Sequence, residues 1–401
     1  MKILMLITEL GYGGAERAFL GLAGELARSH EVEIVLYQRD YASGNYAAAE
    51  QQVALPIHLL DDVSAGGGRV ARWRRRITRL RSIKDRFKPD ATISFLTGPN
   101  LLNVLTRRRD KVVVSVRGTR RYDLSQSARS RRLHLALTDP LTMRLADLVV
   151  SVSDSLTREI SGARGYDPPA KFQTVSGYVD SAALIASANA AIEPEIEALG
   201  AFPLVIGAGR MAPEKGFDHL IRRFAAVKQQ VPAAKLLLIG DGPSLPTLTA
   251  LARSLGLGED VIFAGFRPDP HRYYRLARMF VLCSMTDGFP NTLAEALATG
   301  VPILAVDAPW GAREVLGLPA DPMNRPFVTV APEDSGIGTL MPRMDRPQFA
   351  PLWDKALVER LRNDGRSQAL AARQQARLRA LDARHAAVRW EILLEELVDR
   401  D

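Results

Sequence analysis

"FPLVIGAGRMAPEKGFDHLI", residues 202–221, passes through three kinds of segment in quick succession. "LVIGA" is an apolar run of strand length. Gly207 and Gly209 open a loop that carries Arg210 and Lys215, and "GFDHLI" begins an amphipathic helical pattern. Strand, glycine loop and helix in that order form the repeating unit of a parallel α/β sheet. Gly207, Gly209 and Ala212 also satisfy G-x-G-x-x-A after a strand, so the residues leave an NAD(P)-dependent oxidoreductase open. Pro213 and Glu214 argue that the helix begins later, which would keep Ala212 away from the close helix–strand contact. Two cations on a loop positioned by glycines suit a leaving diphosphate better than hydride chemistry. They are equally readable as a pair of solvated surface charges.

The same order of segments extends both ways from this stretch. Upstream, "KILMLIT", "EVEIVLY", "ATISFL", "KVVVSV" and "DLVVSVS" read as buried strands alternating with helical patterns such as "AERAFLGLAGELARS". An Ala-rich helical stretch at about 181–199 follows. Strands then resume as "FPLVIGAG", "AKLLLIG", "DVIFAG", "MFVLCS" and "VPILAV". Residues 317–346 are Pro-rich and read as a long loop or small excursion. A chain of 401 residues exceeds one ordinary core. The expected fold is therefore α/β, with two doubly wound parallel-sheet domains, 1–180 and 181–383, facing a central cleft as the default ligand site.

The formal charge is +8, and it is concentrated in the N-terminal half, in "RVARWRRRITRLRSIKDRFK" (69–88), "RRR" (106–108), "RGTRR" (117–121) and "RSRR" (129–132). Such a balance suits phosphorylated substrates or an anionic membrane surface. In 69–88, Val70, Trp73, Ile77, Leu80, Ile83 and Phe87 recur at helical spacing. An apolar face packed on the sheet beneath solvated arginines, and a basic face lying on anionic lipid, are both open. A nucleic-acid partner is not expected, because only Trp73 interleaves those arginines as a stacking platform. The single cysteine, Cys283, fits a reducing compartment. No secretory leader or membrane-spanning run is read, so the expected location is cytoplasmic, peripheral at the inner membrane face.

Four more loops can carry chemistry. "ELGYGGAERA" (9–18) places Gly11, Gly13 and Gly14 between a strand and a helix, where backbone N–H groups can meet a phosphate. "LIGDGPSLPTL" (238–248) and "FAGFRPD" (263–269) are strand-end turns, and Phe266 and Arg267 can flank a base or simply pack. "TDGFPNTLAEALATG" (286–300) puts Pro290 at a first helical position, with the N–H groups of Asn291, Thr292 and Leu293 as orphan donors. Asp287 and Glu295 flank that helix start.

Taken together, "GYGGAER", "GAGRMAPEKG", "IGDGP", "FAGF" and "DGFPNTLAEALATGVPILAVDAPWGAREVL" make the chain resemble the GT4-type family of retaining glycosyltransferases with the GT-B fold. Within it the likeness is to bacterial enzymes of lipid-linked glycan, capsule or lipopolysaccharide synthesis. The resemblance implies a nucleotide-sugar donor, more readily UDP than GDP, held by the C-terminal domain without a metal or other cofactor. Arg210 and Lys215 would bind the diphosphate. Asp287, the first acid of a Glu-x7-Glu motif, would contact the sugar, and Glu295, the second, would hold the ribose. The backbone of Phe289, Pro290, Asn291, Thr292 and Leu293 would meet sugar and phosphates, and Phe266 and Arg267 would frame the base. Gly13, Gly14 and Gly209 would let backbone approach the donor, with Glu16 and Arg117 on the acceptor side. A lipid-linked or polysaccharide glycan would be the acceptor, and the last helix, within 384–401, would rejoin the N-terminal domain. Asp287 stands where the family usually has Glu, Arg117 where many members have His, and "SGYVD" lacks a frequent Asn-Pro. These departures leave a non-catalytic relative open as well.

Overall fold

The computed structural model describes residues 1–11, 13–38, 54–61, 68–118, 128–162, 169–319 and 329–399. Tyr12 of the first glycine loop, Thr119 to Arg121 and the side chain of Arg129 in the basic clusters, and 320–328 of the Pro-rich stretch lie outside the described residues. The chain divides into two compact units. The first takes Met1–Arg121, Ala128–Tyr178 and Ala383–Asp401, and the second is built on Val179–Asp382.

The first unit holds a parallel sheet of β1 (Lys2–Ile7), β2 (Glu31–Leu36), β3 (Ile57–Leu59), β4 (Ala91–Phe95), β5 (Lys111–Val116), β6 (Leu148–Ser151) and β7 (Phe172–Thr174). Their order is β3-β2-β1-β4-β5-β6-β7. Short β3 and β7 extend the five strands expected from sequence at either edge. A strand buried on both faces needs apolar residues at consecutive positions, and β1 supplies them. Ile3, Met5 and Ile7 pack with the helices Gly14–Leu26 and Ala383–Val398, while Leu4 and Leu6 pack with the helix Arg69–Phe87. The C-terminal helix contributes Trp390, stacked on Phe95 with ring centroids 6.4 Å apart.

The second unit repeats the plan with β8 (Leu204–Ala208), β9 (Lys235–Ile239), β10 (Val261–Gly265), β11 (Met279–Leu282), β12 (Ile303–Val306), β13 (Glu333–Asp334) and β14 (Thr339–Met341). The order is β10-β9-β8-β11-β12-β14-β13, parallel except for the β13–β14 pair. The stretch 317–346 is thus not wholly irregular. Thr339–Met341 pairs with β12, and this run is too short to show a period in sequence.

The Arg-rich helix packs most of its apolar face on the sheet, as one reading of its sequence expects. Leu80, Ile83 and Phe87 are buried against the sheet, with Trp73 and Ile77 packed beside them, but Val70 is 75% exposed. Several of its cations are not simply solvated. Arg75 and Arg76 each pair with buried Asp61 at 2.9 Å, and Arg79 donates to the Leu60 carbonyl at 3.0 Å. Lys84 is wholly buried, donating to Asp110 at 2.7 Å and to Asn103 at 2.8 Å. Desolvation pushes the Asp110 carboxyl up, but the Lys84 charge and hydrogen bond, with those from Thr92 and the Arg108 amide, outweigh it and hold that carboxyl low. Burial drags the Lys84 ammonium down against the attraction of Asp110.

The parallel strand order reverses between β1 and β4 in the first sheet and between β8 and β11 in the second. At such a switch point neighbouring loops leave in opposite directions and open a crevice at the carboxyl ends of the strands.

Candidate functional site

In the second unit the β8–β11 switch point is lined by the loops after those two strands. After β8 the chain passes Gly209 (φ +151°), a 3-10 turn Pro213–Lys215 and Gly216 (φ +67°) before the helix Phe217–Gln230 begins. The helix therefore starts after Ala212, and the G-x-G-x-x-A spacing does not open it, which removes the structural support for a dinucleotide fingerprint. The loop is pressed onto the end of β11. A Cβ on Gly216 would lie 2.3 Å from the Cys283 carbonyl oxygen. The Met285 amide donates to the Glu214 carbonyl at 2.8 Å, and the Cys283 thiol donates to the Lys215 carbonyl at 3.2 Å. The "IGDGP" turn braces the loop from the other side. Met211 N–H donates to the Asp241 carbonyl at 2.8 Å, and a Cβ on Gly240 would lie 1.9 Å from Gly209 O.

This bracing brings the predicted charges together. Lys215 Nζ donates to both oxygens of Asp287, at 2.8 and 3.0 Å. Arg210 donates to Glu214 Oε1 at 2.6 Å while its side chain stays 64% exposed. Each cation is thus held by a carboxylate, with Lys215 partly and Arg210 largely open to solvent. Glu214, buried at its own position, is a partner that the sequence reading passed over.

Asp287 is fixed by a corner that was likewise unforeseen. Its carbonyl accepts from Gly311 N–H at 3.1 Å, and Asp287 forms an isolated bridge with Trp310. Trp310 sits at φ +81°, a conformation that costs a bulky residue on the order of 1–3 kcal/mol. A Cβ on Gly311 would meet Gly288 O at 2.6 Å and Pro290 Cδ at 2.7 Å, so only glycine lets this corner clamp the Asp287–Pro290 turn.

The helix Asn291–Leu297 follows that turn. Pro290 is its N-cap and not its first helical residue, a shift of one position from the expectation. Its extended backbone (ψ 91°) turns its carbonyl onto the helix, where it accepts from Leu293 N–H at 3.0 Å and Ala294 N–H at 3.2 Å. Leu293 is therefore not an orphan donor, and the cradle narrows to the amides of Asn291 and Thr292. Phe289 is buried beneath the turn, and Glu295 is 1% exposed within the helix. Arg267 and Phe266 stand apart from this group, at the end of β10 two strands from β8, which is roughly 10 Å at ordinary strand spacing. Arg267 pairs with Glu193 at 3.0 Å, and Glu193 also accepts from the Tyr273 hydroxyl at 2.7 Å. Phe266 presents an exposed ring beside it.

The first unit gathers its own polar group near the β1–β4 switch point. Gly13 is the N-cap of the helix Gly14–Leu26, and Glu16 folds back so far that a Cβ on Gly13 would lie 2.1 Å from Glu16 Oε2. Burial raises the Glu16 carboxyl above its usual range, Glu9 adds to this, and Arg117 and Arg17 oppose it. Arg117 lies 5.2 Å from the Phe95 ring centre, and burial pulls its guanidinium down. Leu96, at the end of β4, is held at φ +73°. Glu16 and Arg117 thus share one electrostatic environment.

Residues 191–318 match the family described as "Glycosyl transferases group 1", and residues 13–175 match the "Glycosyl transferase 4-like domain". The chain belongs to the GT4-type group 1 glycosyltransferases. The fold of this glycosyltransferase is GT-B. The HepE protein of Anabaena, solved with UDP and glucose, matches it with a TM-score of 0.77 at 18% identity, covering 98% of this chain and 99% of that one. Sucrose-phosphate synthase of Thermosynechococcus elongatus matches with a TM-score of 0.76, also at 18% identity, over 100% of both chains. In sequence the glycosyltransferase is 31% identical over 170 residues to the GDP-mannose-dependent alpha-(1-6)-phosphatidylinositol monomannoside mannosyltransferase of Mycolicibacterium smegmatis, covering 40% of this chain and 44% of that protein. It is 34% identical over 113 residues, 28% of this chain and 30% of that protein, to an N-acetylgalactosaminyltransferase of Campylobacter jejuni named for a diphospho-undecaprenol acceptor. These sequence matches span less than half the length of either relative.

Proposed function

We propose that this glycosyltransferase moves a sugar from a nucleoside diphosphate sugar, with UDP as the nucleotide, to a lipid-linked or polysaccharide glycan, retaining the anomeric configuration. The observation that carries the reading is the Lys215–Asp287 pair at the β8–β11 switch point, with Arg210 on the same loop. A cation held by a carboxylate is already desolvated and aimed, so a diphosphate meets it with little reorganisation. Lys215 and Arg210 neutralise the charge that grows on the leaving diphosphate, a role that needs no resident metal. Asp287, released from part of its bond to Lys215, accepts from a hydroxyl of the transferred sugar. The amides of Asn291 and Thr292 serve the phosphates and sugar, Glu295 the ribose hydroxyls, and Phe266 with Arg267 the base. Gly209 gives the backbone room to approach.

In the reaction the bond from the anomeric carbon to the diphosphate oxygen breaks, and the acceptor oxygen bonds to that carbon on the same face. The acceptor hydroxyl proton passes to the leaving phosphate, and the nucleoside diphosphate departs. Protein groups position and stabilise, without a covalent intermediate. Glu16, Arg117 and the Gly13–Gly14 turn serve the acceptor on the first unit. The UDP complexes of HepE support the nucleotide, and the lipid-linked substrates in the names of the two relatives support the acceptor class. The test is nucleotide release from UDP- and GDP-sugars with lipid-linked acceptors, with product configuration read by NMR. Release confined to UDP-sugars with a retained anomer is expected. Inversion, or release from GDP-sugars alone, overturns the corresponding part of the reading.

A further inference from the structure

The first unit carries an exposed apolar stripe that no catalytic role absorbs. Helix Ala128–Leu133, a π-helical turn His134–Thr138 and helix Asp139–Leu145 run on without a break. Along them Leu133, Leu137, Leu141 and Leu145 are 54%, 60%, 43% and 39% exposed. These leucines point outward, while Thr142 and Met143 face in. A four-residue repeat drifts by about 40° per step around an α-helix, which would wind the stripe off one face. The wider π turn drifts the other way and offsets part of that, so the leucines stay in line over roughly 18 Å. π turns are uncommon and concentrate where function demands them.

The charges on this face have one sign. Arg132 and Arg144 are exposed among the leucines near its two ends. Asp139, the acid within the stretch, is buried, and Asp147 just beyond it is engaged by Arg107. Exposed leucines with arginines and no outward carboxylate describe a helix that lies in a lipid interface. The arginines meet anionic headgroups, and the leucines reach the acyl boundary.

We propose that the helical face formed by Arg132, Leu133, Leu137, Leu141, Arg144 and Leu145 seats this protein on an anionic bilayer. The inference names the membrane contact behind the lipid-linked acceptor reading, and its test is independent of sugar chemistry. It also moves that contact away from the Arg-rich helix, several of whose cations hold Asp61, Asp110 and backbone carbonyls.

The experiment is co-sedimentation of the full chain with vesicles of phosphatidylcholine alone and of equal parts phosphatidylcholine and phosphatidylglycerol. The protein is expected to partition onto the anionic vesicles and not onto the neutral ones. The variant Leu137→Glu/Leu141→Glu is expected to lose at least tenfold in partition. Arg132→Ala/Arg144→Ala is expected to lose about fivefold per arginine on anionic vesicles, one surface charge contributing about 1 kcal/mol. Val388→Glu, on the exposed side of the C-terminal helix, serves as the control and is expected to partition as the parent does. Circular dichroism melts establish that each variant is folded. Equal partition of the parent and the Leu137→Glu/Leu141→Glu variant overturns the proposal, as does failure of the parent to bind anionic vesicles. A parent that is dimeric by sedimentation velocity and becomes monomeric in the leucine variant, with no vesicle binding, overturns it in favour of a second copy on this face. Calorimetric titration of UDP on the same samples separates this result from the donor reading, since nucleotide affinity is expected to be unchanged throughout.

Discussion

Replacing Lys215 with alanine removes the central cation of the switch-point site and strands its partner. At the 2.8 Å contact the gross Coulomb attraction to Asp287 is about 6 kcal/mol at an effective dielectric of 20. The side chains are 22% and 17% exposed, so solvent and side-chain entropy reduce the net value to the order of 1–3 kcal/mol. In Lys215→Ala the carboxylate of Asp287 remains and faces the incoming diphosphate. Turnover then suffers twice, through lost charge neutralisation of about 3 kcal/mol and through repulsion of about 1 kcal/mol after screening. The expected fall in kcat/KM is a few hundredfold to a thousandfold. The double variant Lys215→Ala/Asp287→Ala removes the repulsion, so it should bind nucleotide about fivefold more tightly than Lys215→Ala while remaining slow. Asp287→Ala alone frees Lys215, so nucleotide affinity should hold or improve while kcat falls. The assay is a double-mutant cycle with calorimetric Kd for UDP and steady-state kcat on each protein. If kcat/KM of Lys215→Ala lies within threefold of the parent, or if the double variant binds nucleotide no better than Lys215→Ala, the assignment of this pair fails.

Other expectations follow from the same geometry. Asp287→Glu adds a methylene to a side chain whose backbone is held by Gly311 and whose carboxylate is held by Lys215, so it should change kcat or sugar preference while leaving UDP affinity within about threefold, whereas Glu295→Ala should weaken UDP by roughly tenfold or more. The reverse pattern in a calorimetric comparison would show that the two acids have exchanged roles. Gly240→Ala should destabilise the second unit by well over 1 kcal/mol, since φ is +137° and the added Cβ meets Gly209 O at 1.9 Å; a thermal melt equal to that of the parent would contradict the bracing of the loop. Lys84→Met should cost about 3–5 kcal/mol by stranding Asp110, and Lys84→Met/Asp110→Leu should recover most of it in denaturant titration. The Asp110 carboxyl is held below its unfolded value of 3.8, so its contribution is complete above about pH 4 and lost as pH falls further. Asp110→Asn should accordingly flatten the acid limb of stability below that pH, and an unchanged limb would assign acid sensitivity elsewhere.

The sequence made the central strands and the glycine loops legible because each is local. "LVIGA" and "KILMLI" are continuous apolar runs, and a strand buried on both faces needs nothing else. Strands β3, β7, β13 and β14 escaped because two or three residues cannot show a period. Lys215, Arg210, Asp287 and Glu295 were legible as a set, but their pairing was not. The Lys215–Asp287 bond spans 72 residues, and the Trp310–Gly311 corner acts on Asp287 through backbone that no side-chain pattern reports. The ion pairs of the Arg-rich helix were hidden for the same reason, since Arg75, Arg76 and Lys84 answer to Asp61 and Asp110, which lie outside the helix. Pro290 was placed one residue late in the turn, because a fixed φ near −65° serves N-cap and first helical position alike. The exposed face of Leu133, Leu137, Leu141 and Leu145 carries no signal of its exposure in sequence. Hydrophobic spacing says which residues share a face and not whether that face is covered.

In the proposed reaction the second unit holds a nucleoside diphosphate sugar through Lys215 and Arg210. Calorimetric titration of UDP-sugars into the parent, Lys215→Ala and Arg210→Ala tests this most directly. Saturable binding to the parent, weakened at least tenfold in each variant, is the predicted result. No binding of any UDP- or GDP-sugar by the folded parent, or equal affinity in all three proteins, would contradict it.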